Sequence, residues 1–526
     1  MRIDYLLKGG MIVDGSAPEV PPLKADIAIQ GDRIIDLGDL SHVNADRTID
    51  VKGLVVCPGF IDAHAHSEFA LLADGRAEGK ICQGVTTEIN GNCGLSAAPL
   101  YGPALEQREA ELDTINIKER WHTFSEYFNL LEQRKFGTNF MTLVGHGNIR
   151  ASVAGYTDKT LSLSEMENMI SVLRTSMDEG AIGLSTGLIY PPGVYSDTSE
   201  IIMLSREAAR HKGIYTTHMR SEGDKLLESV EEVINISGSA GIHAHISHIK
   251  TSGEKNWNKI DKVFQLIEKT RGSGVRVTCD RYPYIASSTD LDTVLPAWAF
   301  EGGHKKEILR LKNQRKELAG GIKQNYTKPS DWDKVVISSV NLDRNKWMEG
   351  KSISEISAAE GVKEVDMVFD LLLDEELNVG AIFFVMNEDN LRAILKRPYC
   401  AIGTDSAVRS FSGITAKGKP HPRGFGSFPR ILGKYVRDLG ILTLSEAVYK
   451  MTGLPSEIFG IIQRGILRKG FIADISVFDP AKINDMADYR DPFRKPEGVS
   501  HVFINGKPAL LEGKLTGDLP GRVLRQ

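Results

Sequence analysis

The sequence predicts an α/β fold: a (β/α)8 barrel of the TIM type, a small β-sandwich subdomain formed by both chain termini, and an inserted lid region. Three observations support this prediction. In the centre of the chain, short apolar runs alternate with helical patterns, which is typical of βα units around a parallel sheet. Strand-like runs separated by turns, as at Gly9-Gly10 and Gly31-Asp32, recur at both ends, and one long interval interrupts the central rhythm.

Eight strands define the predicted barrel. We place them at 60–66, 86–90, 139–145, 181–185, 214–218, 244–248, 275–280 and 401–405. Between the third and fourth strands, Ser164 and Glu167 have the spacing of a helix-starting capping box. One apolar stripe of that helix is predicted to contain Met169, Ile170, Leu173 and Met177. Side chains at the carboxyl ends of barrel strands face the active site, so we expect the functional residues at those ends.

The same sequence patterns predict the boundaries of the terminal subdomain, the barrel and the insertion. Residues 1–57 and 470–526 are predicted to form the terminal β-rich subdomain, and 58–469 the catalytic barrel. The seventh and eighth strands are separated by roughly 120 residues, far more than a βα unit needs. We therefore predict an insertion, with 290–345 as a lid over the barrel mouth. Within it, 303–328 predicts an amphipathic helix with apolar positions at Ile308, Leu309, Leu311 and Leu318.

Composition narrows the class of function. At 526 residues the chain is longer than a usual single domain, and its formal net charge of -5 gives no electrostatic reason to expect nucleic acid or a membrane surface as partner. The first residues include Asp4 and lack the apolar core of a secretory signal, and no later run approaches bilayer length. We expect a cytoplasmic protein with a small-molecule substrate. The oligomeric state stays open.

The five cysteines are odd in number and form no CxxC pair, which argues against a disulfide framework or a zinc ribbon. Four lie in apolar or strand-like stretches and are predicted to be small buried hydrophobes: Cys57, Cys82, Cys279 and Cys400. Cys93 instead follows the second strand on a loop flanked by Gly91 and Gly94. Glycines allow close backbone approach, and thiolate is a preferred zinc ligand.

Ligand-type residues stand at the ends of other strands too. The first strand ends in His64-Ala65-His66, and in an extended chain positions i and i+2 point to one side. The fifth and sixth strands end in His218 and His248, and the eighth in Asp405. Each residue alone is more often structural, but in a barrel these ends converge. The sequence therefore predicts a metal centre.

With these residues identified, the chain resembles the D-aminoacylases (N-acyl-D-amino-acid deacylases) of the amidohydrolase superfamily. The similarity runs nearly end to end, through PGFIDAHAH at 58–66, GNCG at 91–94, GLSTGL at 183–188, THMRSE at 217–222, ISH at 246–248, NW at 256–257, YPY at 282–284, HPR at 421–423, MTGLP at 451–455 and GFIAD at 470–474. The HxH pair and Asp405 identify only the superfamily. Cys93 within GNCG, together with THMRSE, is more specific.

The resemblance implies a tightly held zinc on Cys93, His218 and His248. It implies a second, weaker or empty metal position at His64, His66 and Asp405. Asp405 would take a proton from the zinc-activated water and pass it to the leaving amine. The implied reaction is hydrolysis of the linear amide of an N-acyl-D-amino acid to a carboxylic acid and a D-amino acid.

The resemblance also implies a set of substrate-binding residues: Lys250, Tyr190, Tyr282, Ser287 or Ser288, Arg423, and Met386 as a pocket wall. A substrate carboxylate beside the amide needs cations and hydroxyl donors, which this set offers. The chain departs from the family pattern at Thr404-Asp405-Ser406, where the family has Ser-Asp-Gly, and in a longer segment between Asp405 and Arg423. The acyl group and side-chain preference therefore stay open.

Three other interpretations remain. A cyclic-amide hydrolase such as a hydantoinase or dihydroorotase shares the barrel, but Cys93 and the absence of a lysine from the fourth strand, AIGLS at 181–185, count against it. A dipeptidase of the same superfamily is poorly separated by sequence. A non-catalytic scaffold on this fold would be expected to have lost metal ligands, and all the expected ones are present.

Overall fold

Three kinds of sheet occur in the described residues: a mixed sheet built from both chain ends, parallel sheets built from the centre, and a small antiparallel sheet from an inserted segment. The structure is a computed structural model that describes residues 3–322 and 326–525. In chain order, its strands are β1 (Ile3–Ile12), β2 (Leu23–Gln30), β3 (Arg33–Gly38), β4 (Ala45–Asp50), β5 (Val55–Pro58), β6 (Phe60–Asp62), β7 (Val85–Asn90), β8 (Asn139–Thr142), β9 (Val144–Gly145), β10 (Gly183–Gly187), β11 (Ile214–His218), β12 (Ala244–Ile246), β13 (Val277–Arg281), β14 (Ser287–Asp290), β15 (Val335–Ser339), β16 (Gly380–Phe383), β17 (Cys400–Ile402), β18 (Ile475–Phe478), β19 (Val499–Ile504), β20 (Lys507–Leu511) and β21 (Lys514–Leu515).

The terminal sheet joins the two ends of the chain. Its nine strands within the described residues run in the order β21-β20-β19-β18-β5-β1-β2-β3, with β4 beside β1. The two chain ends meet where β5 pairs with β18, with Val56 opposite Val477. The predicted turn at Gly9-Gly10 is wrong, because β1 continues through it with a register shift between Leu7 and Gly10. A bulge at this point keeps one long strand where the sequence suggested two.

The central strands form two parallel sheets, β6-β7-β8 and β9-β10-β11-β12-β13-β17. Only Leu143 separates β8 from β9. The backbone N–H of Ala63 donates to the carbonyl of Ile402 at 3.2 Å, which links the first central strand to the last. Three strands end earlier than predicted, so His64, His248 and Asp405 lie just beyond β6, β12 and β17.

Helices are distributed along the chain, between the central strands and within the segment from 304 to 374. They are α1 (Glu68–Ala73), α2 (Glu78–Ile81), α3 (Pro103–Thr114), α4 (Phe124–Arg134), α5 (His146–Ala154), α6 (Leu163–Asp178), α7 (Thr198–Arg210), α8 (Leu226–Ala240), α9 (Ile260–Gly272), α10 (His304–Asn313), α11 (Arg315–Ile322), α12 (Ile353–Glu360), α13 (Glu364–Asp374), α14 (Glu388–Leu395), α15 (Arg423–Arg430), α16 (Leu444–Met451) and α17 (Gly453–Phe459). Among the described residues, no helix has both the length and the apolar character needed to span a bilayer.

The capping box of α6 lies two residues before the predicted one. The Ser162 side chain accepts from the backbone N–H of Glu165, and the Glu165 side chain bonds back. The prediction for Ser164 and Glu167 is therefore wrong in register. The stripe of the helix is confirmed at Met169, which is fully buried.

The segment between β13 and β17 contains its own sheet, with antiparallel strands in the order β14-β16-β15. A separate apolar cluster packs against it and includes Leu311, Leu318 and Phe369. Leu309 does not belong to that face as predicted, since it is 49% exposed and lies two residues, or about 200° of helix turn, from Leu311. The action of 290–345 as a lid stays a prediction.

Candidate active site

The turns that follow the parallel strands bring ligand-type atoms together. The Cys93 Sγ lies 3.4 Å from the His64 Nε2 and 3.3 Å from the His248 Nε2. The Asp405 Oδ1 lies 3.6 Å from the His64 Nε2 and 3.2 Å from the His66 Nε2. Ligand atoms of His64, Cys93, His248 and Asp405 all fall within 4.8 Å of one another. The Cys93 sulfur thus lies between residues assigned by sequence to different metal positions.

The distances between the ligand-type atoms and the unbonded ring nitrogens of His218 fit a metal ion. Ligand atoms bound at zinc distances in a tetrahedron lie about 3.5 Å apart. The His218 ring packs against that of His248 with centroids 4.5 Å apart. His218 is 6% exposed, and neither of its ring nitrogens has a hydrogen-bond partner among the described residues. A buried imidazole without hydrogen bonds is costly unless a ligand such as a metal ion satisfies it.

Glu222 forms a second potential ligand group with His218 and His248. Its Oε1 lies 3.0 Å from the His248 Nδ1. It also contacts the Lys250 ammonium. Sequence reasoning placed Glu222 in the THMRSE motif but assigned it no role. Its spacing of four residues from His218 is the signal that could have drawn attention to it.

Three of the site residues have a left-handed backbone conformation. The φ angles are +54° at Cys93, +36° at His248 and +51° at Asp405. Residues other than glycine seldom adopt such angles, and at functional sites they persist where the surroundings enforce them. At His248 and Asp405 this conformation follows strands β12 and β17, which end two and three residues earlier, and it interrupts the extended backbone that the sequence predicted up to these residues. Cys93 lies on the loop after β7, as predicted.

Electrostatics distinguish Cys93 from the other cysteines. Burial alone would raise the pKa of the Cys93 thiol, but the neighbouring His64 and His248 imidazoles hold that pKa well below its ordinary value. Burial raises the pKa of the Cys82 thiol to about 12, with no imidazole beside it to oppose the change. Cys93 therefore has the surroundings of a thiolate, the form of cysteine that binds metals.

Asp405 lies beside the ligand group as an ionised carboxylate. Its Oδ2 is 2.8 Å from the Arg423 Nη1. Burial would raise the pKa of this carboxyl, but Arg423, then His248 and His66, hold it well below its usual value. The backbone N–H of Asp405 donates to the carbonyl of His64 at 2.8 Å. A base is therefore fixed next to the candidate metal ligands.

Three predicted substrate residues form a cationic patch next to Asp405. The Arg423 guanidinium lies 4.7 Å above the Tyr282 ring. The Tyr282 hydroxyl is buried and has no hydrogen-bond partner among the described residues. Burial would raise the pKa of Tyr282, but Lys250, Arg281 and Arg423 together lower it. An unpaired hydroxyl among buried cations is suited to an anionic group of a substrate.

The remaining predicted substrate residues lie around this patch. The Tyr190 ring centroid is 5.0 Å from that of His218. Ser287 and Ser288 lie on β14, where the carbonyl of Ser288 accepts from the Arg423 Nη2 at 3.2 Å. Met386 packs with Tyr282 in a small buried cluster. Tyr190 thus contacts a candidate ligand, and Ser288 and Met386 contact residues of the patch. The contacts of all these residues with a substrate stay a prediction.

Comparisons with known proteins identify the family. The sequence model of the amidohydrolase family matches residues 47–304. A D-aminoacylase of Alcaligenes xylosoxydans xylosoxydans is 36% identical over 523 residues, covering 99% of this chain and 97% of that protein. This chain belongs to the D-aminoacylase family of amidohydrolases. The resemblance inferred from the motifs is confirmed.

Solved structures agree with this family assignment. A crystal structure of D-aminoacylase described as defining a novel subset of amidohydrolases has 35% identity and a TM-score of 0.84, with all of both chains covered. N-acyl-D-glutamate deacylase from Bordetella bronchiseptica, complexed with zinc and a phosphonate mimic of the tetrahedral intermediate, has 31% identity and a TM-score of 0.84, again with full coverage. The family member described here therefore has the amidohydrolase fold.

Sequence reasoning missed a buried carboxylate, Asp280. Its Oδ2 lies 3.1 Å from the His64 Nδ1 and 3.0 Å from the His245 Nε2. Its Oδ1 accepts from the backbone N–H of His248 at 2.9 Å. An acidic residue in a buried strand is a weak local signal, since its partners are distant in sequence.

Sequence reasoning also missed a buried ion-pair network next to β6 and β17, the first and last of the central strands. The Lys80 Nζ lies 2.5 Å from the Asp62 Oδ2, 3.1 Å from the Glu88 Oε2 and 2.8 Å from the Thr404 Oγ1. All four residues are fully buried. The Asp62 Oδ1 also accepts from the backbone N–H groups of His64 and Thr404. This network holds the backbone at His64 and at Thr404, the residue before Asp405.

Proposed function

We propose that the protein is a zinc-dependent hydrolase that cleaves the linear amide of N-acyl-D-amino acids into a carboxylic acid and a D-amino acid. The observation that supports this most is the convergence of Cys93, His64, His248 and Asp405 within 4.8 Å, beside a buried cationic patch. The family's named activities support the choice of amide and of D-amino acid. We also infer that the central strands form a closed (β/α)8 barrel, supported by the bond from Ala63 to Ile402.

In this proposal Cys93, His218 and His248 hold the tightly bound zinc, and His64, His66 and Asp405 form a second, weaker position. Zinc bound there would supply a Lewis acid that acidifies water and polarises the carbonyl of the amide. Three protein ligands leave a coordination position for water, as catalytic zinc requires. The Cys93 sulfur lies near both the His64 and His248 nitrogens, so it would be available as a ligand at either position.

Asp405 performs the proton transfers. Its Oδ2 is held by Arg423, while its Oδ1 faces the histidine side of the site. A low pKa keeps the carboxylate in its base form at neutral pH, ready to accept the proton of the attacking water. The same carboxylic acid then donates that proton to the leaving nitrogen, which completes the hydrolysis.

Lys250, Tyr282 and Arg423 bind the free carboxylate of the amino acid. Lys250 is buried next to the ligand group, with its Nζ 2.7 Å from the His248 Nδ1. Arg423 is also buried, and its guanidinium lies over the Tyr282 ring. Charge-assisted bonds to a carboxylate would orient the amide carbonyl toward the metal position.

The test is a parallel screen of N-acetyl-D-amino acids, their L-enantiomers, dipeptides and hydantoins, with zinc content measured on the same sample. We expect turnover of the D-series, loss of turnover when a chelator removes zinc, and recovery when zinc is returned. Hydrolysis confined to hydantoins or dipeptides would contradict the proposed substrate. A protein without zinc and without turnover would favour a non-catalytic scaffold.

A further inference from the structure

We propose that Asp280 is a positioning residue for the metal centre, where it orients the ring of His64 and holds the turn that presents His248. This inference rests on the proposed zinc site. Asp280 is fully buried on β13, directly behind the ligand group. It bonds to residues that follow two other strands, β6 and β12, so one carboxylate connects two candidate ligands.

The contact with His64 sets the direction of its free nitrogen. The Nδ1 of His64 lies 3.1 Å from the Asp280 Oδ2, and its Nε2 lies 3.4 Å from the Cys93 Sγ. A carboxylate partner fixes the proton on Nδ1 and leaves a lone pair on Nε2. Metal-binding histidines commonly donate their other ring nitrogen to a carboxylate in this way. Asp280 thereby aims His64 at the position shared with Cys93.

The contacts around His248 hold its backbone. The Asp280 Oδ1 accepts from the N–H of His248 at 2.9 Å, and the Asp280 carbonyl accepts from the N–H of Ile249 at 3.0 Å. His248 itself has a φ of +36°. A left-handed conformation at a residue other than glycine is unfavourable and needs enforcement by its surroundings. Asp280 fixes the N–H groups on both sides of the strained Cα.

A purely structural role would rest on the third contact. The Asp280 Oδ2 also lies 3.0 Å from the Nε2 of His245, whose Nδ1 bonds to the Thr278 hydroxyl at 2.8 Å. Here Asp280 would merely satisfy a buried imidazole that is not a predicted ligand. The two roles differ in what they change: positioning alters zinc affinity, whereas satisfying His245 alters only stability.

The central experiment measures the zinc Kd of Asp280→Asn by competition with a chromophoric chelator, and the visible absorption of the Co²⁺-substituted protein. Asparagine keeps the shape and can still accept from His248, but its amide offers a donor where His64 needs an acceptor. For the metal position that includes His64, we expect the zinc Kd to rise about 10- to 100-fold and the Co²⁺ spectrum to change. Asp474→Asn is the matched control, because Asp474 is also buried and bonded but contacts Arg464, Asn139 and Asn505 instead of the site.

Two further variants separate the roles. In a His64→Ala background, Asp280→Asn should weaken zinc binding by a smaller factor, because part of its effect passes through the missing ring. His245→Gln should leave the zinc Kd within about threefold of the parent. If Asp280→Asn does not fold, the smaller Asp280→Ser is taken through the same measurements.

The inference is overturned if Asp280→Asn binds zinc within twofold of the parent, or if its effect is equally large with and without His64. Because no substrate is present, these results hold whichever amide the enzyme cleaves. A parent protein that binds no zinc would instead overturn the proposed metal site and the role of Asp280 with it.

Discussion

Cys93 differs from the other four cysteines in its neighbours rather than in its burial, since all five are buried. Two imidazoles lower the pKa of its thiol, and its sulfur lies between His64 and His248. At the scale of single residues, the chemistry of the site thus depends on pairs of contacts that only the fold creates. Single substitutions at Cys93 and at Asp405 test this dependence.

Replacing Cys93 with alanine should remove zinc and, with it, activity. We expect Cys93→Ala to retain under a tenth of the parent's zinc and to lose at least about 10³-fold in kcat/KM, because a thiolate is a principal zinc ligand. Metal analysis and steady-state kinetics measure both effects. The control is Cys82→Ala, which removes an equally buried cysteine outside the site and should keep full zinc. Normal zinc content in Cys93→Ala would show that sulfur is not a ligand.

Replacing Asp405 with alanine should separate chemistry from metal binding. We expect kcat of Asp405→Ala to fall about 10²- to 10⁴-fold, since general acid-base catalysis is lost, while the tightly bound zinc remains. Single-turnover kinetics and metal analysis test this. Asp438→Ala, which removes a carboxylate paired with Arg437 at the surface, should behave as the parent. Near-normal turnover of Asp405→Ala would exclude it as the base.

At this scale the sequence predicts candidate residues but not how they are oriented. His64, His248 and Asp405 are predicted at the ends of strands and Cys93 just after one, and the structure brings their ligand atoms together. Asp280 was not chosen, because its value comes from partners that are far away in sequence. The sequence alone does not tell which residues are in contact, so it does not reveal which buried carboxylate faces an imidazole.

At the scale of elements, the turns after strands are held by close backbone contacts. Gly187 ends β10, and a Cβ built there would lie 2.1 Å from the Cys93 carbonyl oxygen. The GNCG loop therefore packs against a neighbouring strand that has no side chain at this position.

Overlapping signals limit the prediction of where helix α6 begins. Ser162-x-x-Glu165 and Ser164-x-x-Glu167 both match a capping box, and in the structure the helix begins with the first.

Gly187→Ala should displace the Cys93 loop. We expect at least a tenfold loss of zinc affinity or kcat, because the added methyl group meets backbone atoms that cannot rotate away. Gly238→Ala is the matched control, since a Cβ at that exposed position in α8 meets nothing within 4 Å. It should stabilise the helix by about 0.5–1 kcal/mol. Unchanged zinc affinity and kinetics in Gly187→Ala would show that the loop can move at no cost.

Glu307 on α10 should make stability fall as pH rises. Burial, then the nearby Asp292 and Asp290, raises its pKa from 4.5 to about 9. Between these values the folded state keeps a proton that the unfolded state has lost, so raising the pH favours unfolding. Glu307→Gln should remove this dependence, and its Tm advantage over the parent should grow by about 2 °C or more between pH 6 and pH 9. Exposed Glu317→Gln is the control, and equal pH slopes in all three proteins would refute the assignment.

At the scale of the whole molecule, the sheet built from both chain ends is separate from the central strands that carry the candidate ligands. Strands from residues 3–58 and 475–515 share one sheet and one apolar cluster, in which Phe503 packs with Leu7, Ile27 and Val56. The sequence indicated this association through similar strand patterns at the two ends. It could not indicate the strand order, because alternating apolar residues fit many partners equally well.

Phe503→Ala should therefore weaken the fold and spare the reaction. Phe503 is fully buried, and its truncation should cost about 3–5 kcal/mol in free energy of unfolding. Denaturant unfolding measures this cost, and kcat at 25 °C should stay within about twofold of the parent. Met11→Ala, at a residue of the same sheet that is 43% exposed, should have little effect. A lower kcat without a loss of stability would place the terminal sheet in catalysis.

The inserted sheet leaves and re-enters the molecule at adjacent points, because β13 and β17 pair directly with Cys279 opposite Cys400. Such an excursion can grow, shrink or be exchanged without reordering the strands that flank it. It reaches Tyr190 through Thr289 and Arg423 through Ser288, whereas the candidate metal ligands come from other turns. The inserted segment could therefore be exchanged as a module. We expect such an exchange to change which substrates are bound, while the candidate metal ligands stay in place.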